Sequence, residues 1–314
     1  MAFRSGFVSI IGRPNAGKST LLNALVGEKL AIVTRKPQTT RNRIQGIVNV
    51  AKKGKQPAGQ IVLIDTPGVH KPVNSLNRRM MKEVYDALEG CDLLLLIVDA
   101  GEKFGSGDQF VLEIAKRTKL PCFLLLNKID TLQKDKLLPL IAQYQEMHSF
   151  VEVIPISALK EKGLATLLDS IVRALPEGPH YFPKDQITDQ PERFLVAELI
   201  REQVLQFTSQ EVPHATTVLI DNYEEGAKLT RIAATVYCER EGQKGILIGK
   251  QGANLKKIGT HARQQIERLL GTKVFLELFV KVQAGWRESR TFVEELDWRR
   301  QLEHLSDAQR SEEE

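Results

Sequence analysis

The chain has 314 residues, 42% of them hydrophobic, enough for two compact units, since single cores rarely grow past about 250 residues. Its three cysteines, Cys91, Cys122 and Cys238, are far apart and share no CxxC or Cys/His spacing, which argues against a disulfide framework or a zinc site. There is no run of 18 apolar residues and no signal-peptide pattern at the start, so a soluble cytoplasmic protein is expected. The net charge of +5 permits an anionic partner without identifying one.

In chain order, short apolar runs at 7–11, 44–50, 61–64, 93–98, 122–126 and 151–156 read as strands. Segments of helical period lie between them at 18–25, 76–88, 109–116, 137–147 and 164–174. This alternation predicts a largely parallel sheet covered by helices, with the C-terminal strand ends along one ligand-binding edge. The stretch PEGPHYFPKDQITDQPER holds four of the 13 prolines and little apolar periodicity, and reads as a linker. Beyond it come a helix at 194–207, a strand pair at 216–221 and 230–239, a helix near Ile246, a helix at 253–270, a strand at 274–282 and a final helix from Arg287. That is a smaller α+β unit.

The first strand runs into GRPNAGKS, which matches GxxxxGK[ST] in the strand-to-helix context the pattern needs. Gly12 and Gly17 allow the backbone N–H groups, together with those of Asn15 and Ala16, to surround the β- and γ-phosphates of a nucleotide. Lys18 supplies a point charge, and Ser19, followed by Thr20, supplies a hydroxyl for Mg2+. At the end of the third strand, Asp65-Thr66-Pro67-Gly68 offers a carboxylate that reaches Mg2+ through water and a Gly68 N–H facing the γ-phosphate. Asn127, Lys128 and Asp130 close the fifth strand. The Asp130 carboxylate can accept hydrogen bonds from N1–H and the 2-amino group of guanine, a donor pair that adenine lacks on that edge. Ser157-Ala158, after the sixth strand, would bring a backbone N–H to guanine O6. These elements occur in the order of the GTPase signature set.

Between the first two motifs, VTRKPQTTR has the length of a switch loop, and a threonine in it can complete the Mg2+ shell. Thr40 is favoured, with Thr39 as the close alternative. After Gly68 stands Val69, where Ras-like GTPases carry a water-orienting glutamine, so slow hydrolysis resting on Lys18, Thr40 and Gly68 is expected. His70 follows, and a lone loop histidine is more often solvated than catalytic.

In the second half, Gly249-Lys250-Gln251-Gly252 places a GxxG loop between an apolar helical turn and a Lys-rich helix. Glycines there admit a sugar-phosphate backbone, and Lys250, Lys256, Lys257 and Arg263 supply positive potential. Residues 240–273 carry eight basic and two acidic side chains, whereas 288–314 carry four basic and nine acidic, an acidic tail that ends in SEEE. This is the arrangement of a KH domain, of type II because a strand pair precedes the loop.

Together with the runs PQTTRNRIQGIV, YFPKDQITDQPERF, EREGQKGILIGKQGANLKKIG and LELFVKVQAGWRE, these motifs resemble the Era family of bacterial GTPases over nearly the whole chain. The expected organisation is an α/β P-loop GTPase domain at 1–178, a linker at 179–193, and a type II KH domain at 194–314. The resemblance implies GTP and GDP as ligands, Mg2+, a K+ ion at Asn15, binding near the 3′ end of 16S ribosomal RNA, and a role in 30S subunit maturation. It also implies peripheral contact with the inner membrane, and a monomer is expected. Two other readings compete: an RNA-binding module that uses GTP only as an affinity switch, and a tRNA-modification enzyme, which would need a further domain.

Overall fold

The computed structural model describes residues 2–34, 36, 38–54, 56–209 and 211–300. Arg35 and Pro37 of the switch loop, and the acidic tail from 301 on, lie outside the described residues. The chain divides into two compact units, Met1–Lys71 with Met80–Asp189, and Pro72–Arg79 with Gln190–Glu314.

The first unit is built on six strands, β1 (Arg4–Ile11), β2 (Ile44–Val50), β3 (Gly59–Asp65), β4 (Leu93–Asp99), β5 (Cys122–Asn127) and β6 (Glu152–Pro155). They lie in the order β2-β3-β1-β4-β5-β6. Only the β2–β3 pair is antiparallel. Every residue of β3 and of β5 is buried, as expected for strands covered on both faces. Helices α1 (Lys18–Val26), α3 (Ser106–Thr118), α4 (Leu137–Met147), α5 (Leu164–Ala174) and, from Met80 on, α2 (Ser75–Leu88) provide that cover. Met81 and Val84 of α2, Val111 and Leu112 of α3, and Tyr144 of α4 share one core with β4 and β5. Strand order reverses direction at β1, so its C-terminal end opens into a crevice where a ligand can sit.

Residues 179–189, read from the sequence as linker, belong to this unit. Gln60, fully buried on β3, donates to the Phe182 carbonyl (2.9 Å) and accepts from the Tyr181 and Phe182 N–H groups (2.8 and 3.0 Å). The Ile47 N–H of β2 donates to the Ile187 carbonyl (2.8 Å), and the Thr188 hydroxyl to that of Gln45 (2.6 Å). Proline-rich composition hides this segment from periodicity arguments because its anchors are backbone groups.

The second unit contains α6 (Glu192–Phe207), β7 (Thr217–Glu224), β8 (Leu229–Cys238), α7 (Glu241–Ile248), α8 (Ala253–Leu270), β9 (Lys273–Val282) and α9 (Arg290–Glu295). The sheet order is β7-β8-β9, with β7 antiparallel and β9 parallel to β8. The order α-β-β-α-α-β is that of a type II KH fold. Its core joins Val196 and Ile200 of α6, Ile232 and Val236 of β8, and Ile258, Ala262 and Ile266 of α8. Trp286, fully buried, donates its indole N–H to the Ala215 carbonyl (2.9 Å). Among the described residues no helix is long and apolar enough to cross a membrane.

Candidate functional site

The loop after β1 lies at the C-terminal edge of the sheet, in front of the N-terminus of α1. Gly17, the residue capping α1, has φ +103°, and a Cβ there would fall 2.2 Å from Asn127 Nδ2. Only glycine fits this position, because both the backbone conformation and the space exclude a side chain. Lys18 is 5% exposed, and its ammonium donates to the carbonyls of Gly12 (3.1 Å) and Arg13 (3.0 Å). Burial pulls its pKa down to about 8, against the attraction of Asp65.

Three oxygen-bearing side chains meet beside it. Ser19 Oγ donates to Asp65 Oδ2 (2.6 Å) and lies 2.8 Å from Thr40 Oγ1. Burial pushes the Asp65 carboxyl up to about 6, opposed first by Lys18 and then by the hydroxyl hydrogen bonds. Asp65 Oδ1 is buried and makes no hydrogen bond of normal geometry. Hard oxygen donors around an unsatisfied carboxylate oxygen fit Mg2+, which prefers one or two carboxylates with hydroxyls, waters and phosphate oxygens. Of the two candidate switch threonines, Thr40 is the one beside Ser19. Thr39 bonds instead with Thr34 Oγ1 (2.8 Å) and the Lys36 carbonyl (2.6 Å).

The base-reading side is organised by Asn127, which is 2% exposed. Its Nδ2 donates to the Ala16 carbonyl (2.8 Å), and its Oδ1 accepts from the Ala158 N–H (2.9 Å). One side chain thus holds the phosphate loop and the loop after β6 in register. Lys128, at φ +66°, reaches Asp99 Oδ2 (2.5 Å). Asp130 is exposed and accepts from Ser157 Oγ (2.6 Å), a bond that, with nearby lysines, holds its carboxyl below the usual range. It stays ionised and able to accept across physiological pH.

These groups line one cavity of about 670 Å3. Asn15, Gly17, Lys18, Ser19, Thr20, Thr40, Gly68, Asn127, Lys128, Asp130, Ser157 and Ala158 all border it. Gly12, Ala16, Asp65, Thr66 and Pro67 are buried and do not border it. The Thr66 hydroxyl is committed to the Ile10 carbonyl (2.7 Å). Val69 is 1% exposed and packs into the core, and its N–H donates to the Gly12 carbonyl (3.1 Å). His70, expected in solvent, holds Nδ1 2.8 Å from the Gly68 carbonyl, and its Nε2 is buried without a hydrogen bond. Sequence reasoning missed Ile32, Val33 and Leu159, which line the cavity, and Asn23, which organises the loop before the switch. Asn23 Oδ1 accepts from the Leu30 and Ala31 N–H groups (3.0 and 2.9 Å), and its Nδ2 donates to the Ala31 carbonyl (2.7 Å). No sequence pattern marks it, because its partners are backbone atoms.

In the second unit the GxxG loop ends α7 and starts α8. Gly249 has φ +71°, and a Cβ there would fall 2.8 Å from Asn254 Cβ. Asn254 in turn donates to the Ile246 carbonyl (2.9 Å), tying the two helices together. Lys250 and Gln251 project from the turn, exposed. A groove of about 400 Å3 follows, with Gly252, Lys256, Gly259 and Arg263 on the α8 side and Leu276 and Leu278 of β9 opposite. Lys257 is absent from that lining: its ammonium lies 4.4 Å from the Phe207 ring centroid. Residues three and four apart share a helix face, so Lys256, Gly259 and Arg263 align while Lys257 turns away.

Residues 7–128 match the family model described as a 50S ribosome-binding GTPase, and residues 211–287 match that of the KH domain. The chain is 48% identical over 298 residues to the GTPase Era of Syntrophus aciditrophicus (strain SB), covering 94% of this chain and 95% of that one. It is 50% identical to the GTPase Era of Geobacter metallireducens (strain ATCC 53774 / DSM 7210 / GS-15), covering 94% and 98%. Among solved structures, a point variant of Aquifex aeolicus Era bound to GDP and AlF4− superposes with a TM-score of 0.88 at 39% identity, over 93% of this chain and 98% of that one. An Era complex with MgGDPNP and nucleotides 1506–1542 of 16S ribosomal RNA gives 0.87 at 39% identity, with the same coverage.

Proposed function

The chain belongs to the Era family of GTPases, and from that premise we propose that it is a slow GTP-driven switch that binds the 3′ region of 16S ribosomal RNA during assembly of the 30S subunit. GTP binding and hydrolysis are the activity of the first unit, and Mg2+ is its cofactor. The observation that carries the reading is one cavity in which the Lys18 ammonium, the Ser19 hydroxyl and the Asp130 carboxylate face the same space. Those groups suit phosphate, metal and guanine in that order.

Bound by Ser19 and Thr40, with Asp65 behind them, Mg2+ would supply positive charge to the phosphates as the terminal P–O bond breaks. The rest is the work of the chain's own groups. Lys18 exchanges two carbonyl bonds for phosphate oxygens, so its charge is already in place when GTP arrives. The Gly68 N–H is the donor for the γ-phosphate. The Val69 side chain has no polar atom to orient water and is held in the core, so turnover relies on electrostatics and is slow. Asn15, at φ +64° on the cavity wall, is the residue we assign to a K+ ion that takes the place of an arginine finger.

The RNA part rests on the groove beside the GxxG loop, whose apolar wall and cationic rim suit about four unstacked nucleotides. The relative crystallised with nucleotides 1506–1542 of 16S ribosomal RNA supports the choice of RNA. We place the protein in the cytoplasm as a monomer acting on the 30S subunit, with a peripheral contact on the inner membrane.

Crosslinking in cells followed by sequencing of the attached RNA tests the assignment. Enrichment of the 3′ end of 16S ribosomal RNA is expected, and recovery of no ribosomal RNA would defeat it. Hydrolysis measured with and without that RNA, in Na+ and in K+ buffers, separates the finer parts: equal rates in the two salts would remove the K+ ion.

A further inference from the structure

Strand β9 has two functions to offer, because its side chains alternate between two faces. Its even-numbered residues face the helices, and Leu276 and Leu278 among them form the apolar wall of the groove. Its odd-numbered residues point the other way, and two of them are large aromatic side chains left half in solvent, Phe275 at 47% and Phe279 at 51% exposure. Isolated apolar residues on a surface are ordinary, but two rings on one strand face are a platform. Three residues lie between them, and four strand steps set their backbones about 13 Å apart.

The charges around the rings select the occupant. Arg231, which pairs with Phe275 in register on β8, stacks its guanidinium 5.5 Å from that ring centroid. Lys273 and Lys281 stand two residues outside the rings on the same face, with Glu277 between the rings. A protein or lipid partner of an apolar patch would favour an unbroken apolar surface. Carboxylates also stand on this face, Glu224 paired in register with Arg231 and Asp221 bonded to Thr235, the neighbour of Phe279, so the cations at the two ends of β9 are its accessible positive charge. Rings spaced by polar residues, with a cation at either end of the strand, match a single-stranded nucleic acid, whose bases stack on aromatic faces while its phosphates meet Lys and Arg. A carboxylate between two such rings can accept from an exocyclic base amino group. The platform is also continuous with the groove: β9 ends the order β7-β8-β9, so its free edge is the boundary between the two faces.

We propose that the outward face of β9, through Phe275 and Phe279, is a second RNA-binding surface that stacks bases flanking those held in the GxxG groove. This rests on the groove reading above and extends the length of RNA the unit engages. Its contribution is sequence-tolerant, because every base has a π face.

The test uses the full chain and an RNA of nucleotides 1506–1542 of 16S ribosomal RNA, with affinity read by fluorescence anisotropy over a series of salt concentrations. Phe275→Ala with Phe279→Ala is expected to weaken binding about tenfold or more, with the slope of affinity against salt unchanged, since stacking and not phosphate pairing is removed. Phe275→Trp with Phe279→Trp, which keeps the π faces, should retain wild-type affinity, and ultraviolet crosslinks mapped by mass spectrometry should fall on Phe275 and Phe279 of the wild-type chain. Wild-type affinity in the alanine pair would overturn the proposal and leave the face to another partner. An equal loss in the tryptophan pair would also overturn it, by showing a packing role. Gly252→Asp distinguishes the two readings: if it abolishes binding while the alanine pair matches wild type, the groove stands and the platform falls. No binding by the wild-type chain would remove both.

Discussion

The nucleotide cavity and the GxxG groove solve recognition in opposite ways. In the first, the deciding groups are buried or tied: Asn127 is bonded on both sides, Lys18 is 5% exposed, and Asp130 is held ionised by Ser157. In the second, the deciding groups are backbone at positive φ and cations at the rim of a shallow groove. A preorganised polar cavity discriminates strongly, because the wrong ligand leaves fixed groups unpaired. A cationic groove engages phosphates through charge, so its affinity depends on salt. The difference teaches that the nucleotide is read by fixed buried groups, whereas the RNA is met by a groove whose backbone and cations act first on its sugar-phosphate strand.

The sharpest way to break that contrast is at Asp130. Asp130→Asn removes two charge-assisted hydrogen bonds worth about 1.5–3 kcal/mol each, so GTP affinity should fall on the order of 10²- to 10⁴-fold while xanthosine triphosphate becomes the better ligand. Retained GTP preference in a competition assay would show that Asp130 does not read the base. A second test exploits two carboxylates of the site, Asp65 and Asp130. The Asp65 pKa is raised to about 6, so the group is ionised above that pH and takes up a proton below it. Asp130 is shifted the opposite way and stays ionised. Mg2+-dependent GTP affinity should therefore be level between about pH 6 and pH 8, weaken above that as Lys18 loses its proton, and fall by up to about tenfold per unit below pH 6, since Mg2+ competes with one proton. Asp65→Asn should flatten that profile, and an unchanged profile in the variant would dismiss Asp65 as its source.

The smallest expected effects lie in the groove and separate neighbouring lysines. Lys256→Ala should weaken RNA binding by a few-fold and lower the slope of log affinity against log salt by about 0.7, the value for one phosphate contact on a single strand. Lys257→Ala should leave that slope unchanged and cost only the cation–π contact with Phe207, about 0.5–1 kcal/mol of stability. Equal salt slopes for the two variants would mean that the groove does not define the path of the RNA.

Much of this molecule can be read from local pattern alone. The strand-end motifs, the helical periods and the GxxG frame each depend on a few consecutive residues whose backbone or side-chain chemistry is self-sufficient. Hence α4, α5 and α8 run as expected from periodicity, and 12 of the expected nucleotide-site residues line one cavity. Other features arise only when distant segments meet. The choice of Thr40 over Thr39 depends on which hydroxyl reaches Ser19, and the attachment of residues 179–189 depends on the buried Gln60 bonding to main-chain atoms of Phe182, 122 residues further along the chain. The turning of Lys257 toward Phe207 is set by the packing of α6 on α8. Amino-acid order specifies chemistry where neighbours in the chain suffice. Folding decides which of several equivalent side chains is brought to the site, because that is a matter of long-range packing and of hydrogen bonds to backbone that carries no sequence signature.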